Sequence, residues 1–123
     1  AHAKFPVAYG ELNPMRSEAD HFWIGHVVVD PRSRGRGVGR LFVRKLLEEA
    51  FYQQHACRVS LVVFPENRAA MHCYRRCGFR IVGDERHQFL PGGPKHRLLR
   101  LEAGPGVLTS NKPQPRTPLS AGR

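Results

Sequence analysis

The sequence lacks any long hydrophobic run. No apolar stretch in its 123 residues approaches the roughly 20 that a membrane-spanning helix needs. The opening Ala1-His2-Ala3-Lys4-Phe5 lacks the apolar segment of a secretory signal. Cysteine is scarce, and an odd count of three without such a signal argues against a disulfide framework. These absences predict a cytoplasmic protein without a membrane partner.

Acidic residues are also few. The sequence has ten Asp and Glu residues against 20 Lys and Arg residues, which gives a formal net charge of +10. The excess is compatible with a polyanion-binding patch, or with a site for a highly phosphorylated small ligand on an arginine-rich surface. Basic residues are dense from 32 to 45 but dispersed elsewhere, which disfavours nucleic acid as the partner.

What remains is the composition of one ordinary globular domain, 41% hydrophobic and 24% charged. Alternating and β-branched stretches predict strands, of which the first two form an antiparallel pair. Helical periodicity predicts two helices. We expect the domain to cover 1–103 and residues 104–123, rich in Pro, Gly, Ser and basic residues, to be a flexible tail. The predicted strands are 5–12, 22–29, 57–64, 79–83 and 96–101, and the predicted helices are 37–55 and 68–77.

A glycine- and arginine-rich loop joins the second strand to the first helix. Its residues are Arg34-Gly35-Arg36-Gly37-Val38-Gly39. The first amides of a helix have no intrahelical partner, and glycines let a phosphate approach them closely. The loop has neither the P-loop spacing nor the register of a dinucleotide fingerprint. It therefore predicts an anion site of another kind, or a turn that only begins a helix.

Two motifs together resemble the GNAT superfamily of N-acetyltransferases. The first is a Gln/Arg-x-x-Gly-x-Gly/Ala loop, and the second is Asn-x-x-Ala-x-x-x-Tyr-x-x-x-Gly-Phe. The resemblance covers about residues 5–103 and implies an α/β (α+β) fold with a mixed, mostly antiparallel sheet and two main helices. It implies an enzyme that transfers an acetyl group from acetyl-CoA to a primary amine in a ternary complex. The first motif is matched by Arg34, Gly37 and Gly39, and the second by Asn67, Ala70, Tyr74, Gly78 and Phe79.

The resemblance assigns the cofactor contacts. The glycine loop would wrap the pyrophosphate of coenzyme A, and the pantetheine arm would lie where two neighbouring strands splay apart. Backbone groups of Val27, Val28 and Val29 would bond the arm, and one of their amides could stabilise the oxyanion. Asn67 would bond the arm as well, or cap the second helix, for which asparagine is favoured.

Tyr74 is the predicted general acid. A tyrosine hydroxyl near the sulfur can protonate the departing thiolate. The alternative is core packing, because Ala70, Cys73, Tyr74 and Cys77 share one helical face.

No side chain is an obvious general base. The positions where some relatives carry one hold Trp23 and Gly25, and alternation turns His26 to the opposite face of its strand. Glu11 on the neighbouring strand is the predicted base, acting directly or through water. The remaining candidates lie near the adjoining loop: Glu18, Asp20 and His21.

A metal is not expected. Cys73 and Cys77 lie on one helical face, but a closed zinc site needs four ligands, and His72 faces the other way. The two cysteines are predicted to be small apolar residues of the core.

The front of the chain departs from the family pattern. Relatives usually begin with a strand, two helices and another strand that shape one wall of the acceptor pocket. The short front favours a truncated or reduced form, in which a homodimer partner could supply that wall. The amine acceptor stays unidentified, and a binding module that holds acyl-CoA without catalysis is the alternative function.

Overall fold

The computed structural model describes residues 8–15, 18, 20–30, 32 and 37–109, with the side chain of residue 26 outside the description. Five strands and three helices follow one another in these residues, and most have the predicted positions. The second helix, like the strand before it, matches its prediction within two residues. The elements are β1 Ala8–Pro14, β2 His21–Val29, α1 Val38–Glu48, β3 Arg58–Val63, α2 Arg68–Arg76, β4 Arg80–Gln88, β5 Lys95–Ala103 and α3 Gly106–Thr109.

The strands form one sheet in the order β1-β2-β3-β5-β4. Neighbouring strands are antiparallel except β2 and β3, which are parallel and joined through α1. A parallel pair requires such a crossover, whereas β4 and β5 need only a short hairpin. The predicted α/β class, with a mostly antiparallel sheet and two main helices, is confirmed.

The core lies between one face of the sheet and helices α1 and α2. Val59, Leu61 and Leu101 of the central strands are buried there, as are Val43 and Leu47 of α1. Helix α1 continues into a π-helical turn, Glu49–Gln53. Leu41 of α1 does not join the core, since it is 63% exposed.

The β4–β5 hairpin is longer than predicted. Eight register pairs join it, from Arg80 with Glu102 to Gln88 with Lys95. The charged residues after Gly83 lack the apolar alternation that predicts a strand. Their pairing is stabilised instead by cross-strand contacts such as the ion pair between Asp84 and Arg97 at 2.9 Å.

The predicted boundary at residue 103 is wrong for the six residues that follow it. Helix α3 folds back onto the domain, and Leu108 is buried against the core with 4% exposure. Arg44 of α1 donates a hydrogen bond to the carbonyl oxygen of Leu108 at 3.3 Å. The rest of the predicted flexible tail, 110–123, lies outside the described residues. Among the described helices, none is long and apolar enough to cross a membrane.

Candidate active site

Strands β2 and β3 separate after a short paired stretch. Register pairs join His21, Phe22 and Trp23 to Arg58, Val59 and Ser60, and no further pair follows along the two strands. A cavity of about 190 Å³ occupies the opening. The predicted splay of these strands is therefore present. The lining side chains include Ile24, Val27, Leu61, Phe64, Asn67 and Tyr74.

A β-bulge lies in β2 beside this opening. Tyr9 pairs with Val28 and Glu11 pairs with Gly25, so two residues of β2 oppose the single Gly10 of β1. A bulge leaves one residue outside the ladder and turns the strand, and bulges are frequent next to active sites. The sequence alternation did not reveal it. Of the three predicted backbone contacts, Val27 lines the cavity, Val28 is exposed, and Val29 packs near Gly39.

Helix α1 begins at the predicted loop. Its N-cap Gly37 has a φ of 77°, a left-handed conformation that favours glycine, and Leu41 N–H donates to its carbonyl oxygen at 3.0 Å. The amides of Val38, Gly39 and Arg40 follow as the orphan donors of the first turn, which contains no acidic side chain. This end of the helix can hold an anion. The predicted contacts Arg34, Gly35 and Arg36 lie outside the described residues.

Gly39 packs inward against the rest of the site. A Cβ built on it would lie 3.5 Å from Cγ2 of Val29 and 3.7 Å from Sγ of Cys73. These are ordinary van der Waals distances. The start of α1 therefore contacts both the end of β2 and the middle of α2.

Asn67 lies where the start of α2 meets the cavity. Its Oδ1 accepts a hydrogen bond from the amide of Ala70 at 3.1 Å, which makes it the N-cap of α2. The same residue lines the cavity. Its side-chain NH₂ group makes no hydrogen bond to the described residues and can therefore donate to a ligand.

Tyr74 lies between the core and the cavity. Its ring is buried, packs edge-on against Phe79 with 5.7 Å between centroids, and lines the opening between β2 and β3. Within the described part of the chain its hydroxyl has no hydrogen-bond partner. Burial, together with the nearby Cys73 and Cys77, raises the pKa of Tyr74 to about 12. The hydroxyl is therefore protonated at neutral pH and can donate.

Glu11 lies on the opposite face of the sheet from α1. Its Oε2 accepts a hydrogen bond from the Tyr9 hydroxyl at 3.1 Å, and this bond and the carboxylate charge raise the pKa of Tyr9. Its Oε1 lies 3.7 Å from the place where a Cβ on Gly25 would be. Because Gly25 has no side chain, the carboxylate can lie over β2 one position before the bulge. No contact joins Glu11 to Tyr74.

A buried polar network closes the paired end of β2 and β3. His21, which is 4% exposed, contacts Glu18 Oε1 at 2.8 Å through Nδ1 and Ser60 Oγ at 2.6 Å through Nε2. Ser60 is fully buried and also donates to Glu102 at 3.3 Å. The predicted alternative bases Glu18 and His21 are thus held in a structural network. The sequence did not predict this network, because His21 and Ser60 are far apart along the chain.

An aromatic cluster on the sheet face that carries Ser60 borders the cavity. Phe64, which lines the cavity, lies 6.1 Å from Phe89 and 6.2 Å from His96 between ring centroids. His87 contacts Glu85 at 2.7 Å. Sequence reasoning missed this cluster, since its members come from three separate segments that only the sheet brings together.

Cys73 of α2 and Cys77, the C-cap of that helix, lie beside the start of α1. A hydrogen bond from Cys77 and the charge of Arg40 lower the pKa of Cys73 to about 7, against an opposing effect of burial. The same bond and burial raise the pKa of Cys77, whose sulfur lies 3.6 Å from the carbonyl oxygen of Arg40. Within the residues that the structure describes, no three His, Cys, Asp or Glu side chains converge as metal ligands would.

This combination defines a class of α/β domain. A parallel strand pair opens around a cavity, and the helix beside it begins at a glycine, with first-turn amides that can donate to an anion. The sequence profile of the Acetyltransferase (GNAT) family matches residues 3–79. The chain belongs to this family.

Named relatives support the assignment. The chain is 37% identical over 99 residues to N-alpha-acetyltransferase RimI of Mycobacterium tuberculosis, a match covering 80% of this chain and 60% of the relative. It is 24% identical over 91 residues to spermidine N(1)-acetyltransferase of Escherichia coli K12, covering 74% of this chain and 47% of the relative. The chain thus spans about half the length of the curated relatives it matches.

A solved structure shares the fold. Spermidine N-acetyltransferase from Vibrio cholerae in complex with CoA and spermine superposes with a TM-score of 0.71. The match covers 85% of this chain and 61% of that one at 21% identity. Another structure of the enzyme from this organism is dodecameric.

Proposed function

We propose that this chain binds acetyl-CoA and transfers its acetyl group to a primary amine. The observation that carries the proposal is the opening between β2 and β3, a cavity bordered by Tyr74 and Asn67. At about 190 Å³ it has room for the end of a linear thioester, since this is the volume of about six water molecules at roughly 30 Å³ each. The pyrophosphate binds at the start of α1, through the amides that follow Gly37.

The β2 bulge supplies the donor for the reaction centre. The amine nitrogen attacks the carbonyl carbon of the thioester, and the oxygen becomes negatively charged. A bulge amide outside the β1–β2 ladder, next to Val27, donates to this oxyanion. Breaking the carbon–sulfur bond then releases coenzyme A as a thiolate.

Tyr74 donates to that sulfur. A free thiol has a pKa of about 8.5, whereas the pKa of Tyr74 is about 12, so complete transfer from tyrosine to a solvated thiolate is uphill. A thiolate in the same dry cavity is also desolvated, which raises its proton affinity and narrows the gap. The hydroxyl, with no partner in the described residues, is free to hydrogen-bond the leaving group and pass its proton.

Glu11 takes the proton from the incoming ammonium. Its carboxylate lies over Gly25, on the face of β2 that α1 does not cover, so an amine arriving from this side meets it before the bulge. The relatives indicate the acceptor class only in outline, since one is named for spermidine and another for N-alpha-acetylation. The predicted homodimer stays a prediction.

The proposal is tested by following free thiol while the protein is incubated with acetyl-CoA and a panel of amines. The panel contains spermidine, free amino acids and peptides with free N-termini. We expect thiol release that depends on one class of amine, and a fall in kcat of at least about tenfold in Tyr74→Phe with acetyl-CoA binding retained. Tyr52→Phe is the matched control, because Tyr52 is 57% exposed on the π-helical turn.

Two outcomes contradict the proposal in different ways. Tight acetyl-CoA binding without turnover for any amine indicates a binding module and removes the catalytic roles of Tyr74 and Glu11. Failure to bind acetyl-CoA at all removes the cofactor site at the start of α1 as well.

A further inference from the structure

A pair of thiols lies where α2 packs against the start of α1. Cys73 and Cys77 are one helical turn apart, and a hydrogen bond joins their side chains. Sγ of Cys73 lies 3.7 Å from the place that a Cβ on Gly39 would take. The sulfur of Cys77 lies 3.6 Å from the carbonyl oxygen of Arg40. Both cysteines keep part of their surface exposed, so a reagent can reach the pair beside the first turn of α1.

The surroundings of the pair are positively charged. Cys77 lines a basic groove of about 790 Å³, and Val107 of α3 forms part of the other side of this groove. The guanidinium group of Arg40 also lies beside the N-cap of α1, since its Nη2 is 3.7 Å from the place of a Cβ on Gly37. Positive charge concentrates anionic reagents and stabilises a thiolate. Among the described residues that line the groove, the charged ones are all arginines: Arg40, Arg44, Arg76 and Arg80.

The two cysteines of the pair differ in reactivity. The Cys77 hydrogen bond and the charge of Arg40 lower the pKa of Cys73 to about 7, so much of this thiol is thiolate at neutral pH. The same bond and burial raise the pKa of Cys77, which stays protonated. In thiol–disulfide exchange the thiolate attacks, and the best attacking thiol has a pKa near the ambient pH. Cys73 is therefore the nucleophile, and Cys77 is the donor that stabilises it.

We propose that Cys73 is a site of reversible S-thiolation by anionic low-molecular-weight disulfides, and that the adduct blocks the start of α1. The Cys73 thiolate attacks one sulfur of the disulfide, a new S–S bond forms, and the original S–S bond breaks. The departing half leaves with the electron pair as a thiolate and takes a proton from water. The cysteine is oxidised and the departing half is reduced, so the exchange needs no further oxidant. A thiol reductant reverses it by the same route.

The adduct and acetyl-CoA compete for the same space. Because Sγ of Cys73 is within van der Waals reach of Gly39, a peptide-sized group bonded to this sulfur lies against the first turn of α1. The amides of that turn hold the pyrophosphate in the proposed function. The blocking effect therefore rests on the proposed function. The exchange at Cys73 does not, since it needs only the thiol pair and its arginines.

The test treats the reduced protein at neutral pH with glutathione disulfide, an anionic probe, or with cystamine, a cationic one. Peptide mass spectrometry follows the mixed disulfides at Cys73 and Cys57 over time. Cys57 is the internal control, because it is exposed and contacts Asp20 rather than an arginine. We expect glutathione disulfide to modify Cys73 at least about fivefold faster than Cys57, since a larger thiolate fraction outweighs a lower intrinsic nucleophilicity. The preference for glutathione disulfide over cystamine should be confined to Cys73.

Arg40→Gln and Arg75→Gln form a matched pair. Arg75 is an exposed neighbour of the thiol pair on α2, but it does not line the groove. Arg40→Gln should slow the reaction of Cys73 with glutathione disulfide more than the reaction with cystamine. Arg75→Gln, which removes the same net charge, should leave both rates as in the wild-type protein.

Calorimetry on the modified protein tests the blocking effect. We expect the adduct to weaken acetyl-CoA binding at least about tenfold, a loss of roughly 1.4 kcal/mol, and dithiothreitol to restore it. Saturating acetyl-CoA should in turn slow the modification of Cys73. Cys73→Ser should bind acetyl-CoA equally well before and after treatment with glutathione disulfide.

Several results overturn the inference. They are the absence of an adduct at Cys73, equal rates at Cys73 and Cys57, and a Cys73–Cys77 disulfide in place of the mixed one. An adduct that leaves the Kd of acetyl-CoA unchanged overturns the blocking effect and leaves the proposed function intact. If the untreated protein does not bind acetyl-CoA, the proposed function fails together with the blocking effect, while the mass spectra still decide whether Cys73 is the S-thiolation site.

Discussion

The surroundings of Tyr74 bear on both of its predicted roles, core packing and proton donation. Tyr74 has a buried ring, a packed neighbour in Phe79 and a hydroxyl without a partner in the described residues, at the edge of a cavity. A buried polar group without a partner costs about 1–3 kcal/mol, which a purely structural position would avoid with phenylalanine. The core-packing and proton-donor interpretations of Tyr74 are therefore compatible, since packing fixes the ring and leaves the hydroxyl without a partner in the described residues.

Cys73 provides a prediction at the same scale. Because the Cys77 hydrogen bond and the Arg40 charge lower its pKa to about 7, the pH midpoint of its alkylation should lie near 7. Cys57 is the internal control, since its contact with Asp20 raises its pKa above that of an ordinary thiol. Mass spectrometry of iodoacetamide-labelled peptides across a pH series measures both midpoints.

Replacing Cys77, the donor to Cys73, tests the same explanation directly. In Cys77→Ala the thiolate of Cys73 loses its hydrogen bond, and its midpoint should rise. The explanation is wrong if the Cys73 midpoint equals that of Cys57, or if it does not move in Cys77→Ala.

At the scale of elements, the sequence predicted those helices and strands whose residue pattern lies within a single segment. The periodicity of α1, the asparagine before α2 and the glycine after it placed both helices, and β-branched runs placed β2 and β3. The β2 bulge is different, because it exists only relative to the register of β1. The basic groove is different too, since Arg40 and Arg80 are distant in sequence and meet only through packing.

Gly37 is the element-scale test of the start of α1. Its φ of 77° strains any side-chain-bearing residue, so Gly37→Ala should lose about 1–2 kcal/mol of stability and bind acetyl-CoA more weakly. Gly92→Ala carries the same strain at a φ of 75° in the β4–β5 hairpin, with open space around it. Urea unfolding and calorimetry on both variants separate strain from function.

The result that supports the site is loss of acetyl-CoA affinity in Gly37→Ala but not in Gly92→Ala, at similar losses of stability. Unchanged affinity in both variants is incompatible with a phosphate site at the helix start.

At the scale of the whole molecule, the sequence did not predict where the folded domain ends. The segment from Gly104 has the glycine and proline content of a linker, and composition does not show that Leu108 inserts among core residues or that Arg44 binds its carbonyl. Val107 meanwhile forms one side of the basic groove. The segment predicted to lie outside the domain thus completes both the core and the basic groove.

Leu108→Ala tests this at the level of global stability. Leu108 is 4% exposed, so the truncation should cost about 2–4 kcal/mol, a large part of the roughly 5–15 kcal/mol that holds a domain of this size. Leu90→Ala, at 69% exposure in the hairpin, should change stability by less than about 0.5 kcal/mol. Urea denaturation followed by tryptophan fluorescence measures both, because Trp23 lies in the central sheet and packs under Arg100 at 4.4 Å. If the two variants are equally stable, α3 is not part of the cooperative unit, and the groove that it borders loses one of its walls.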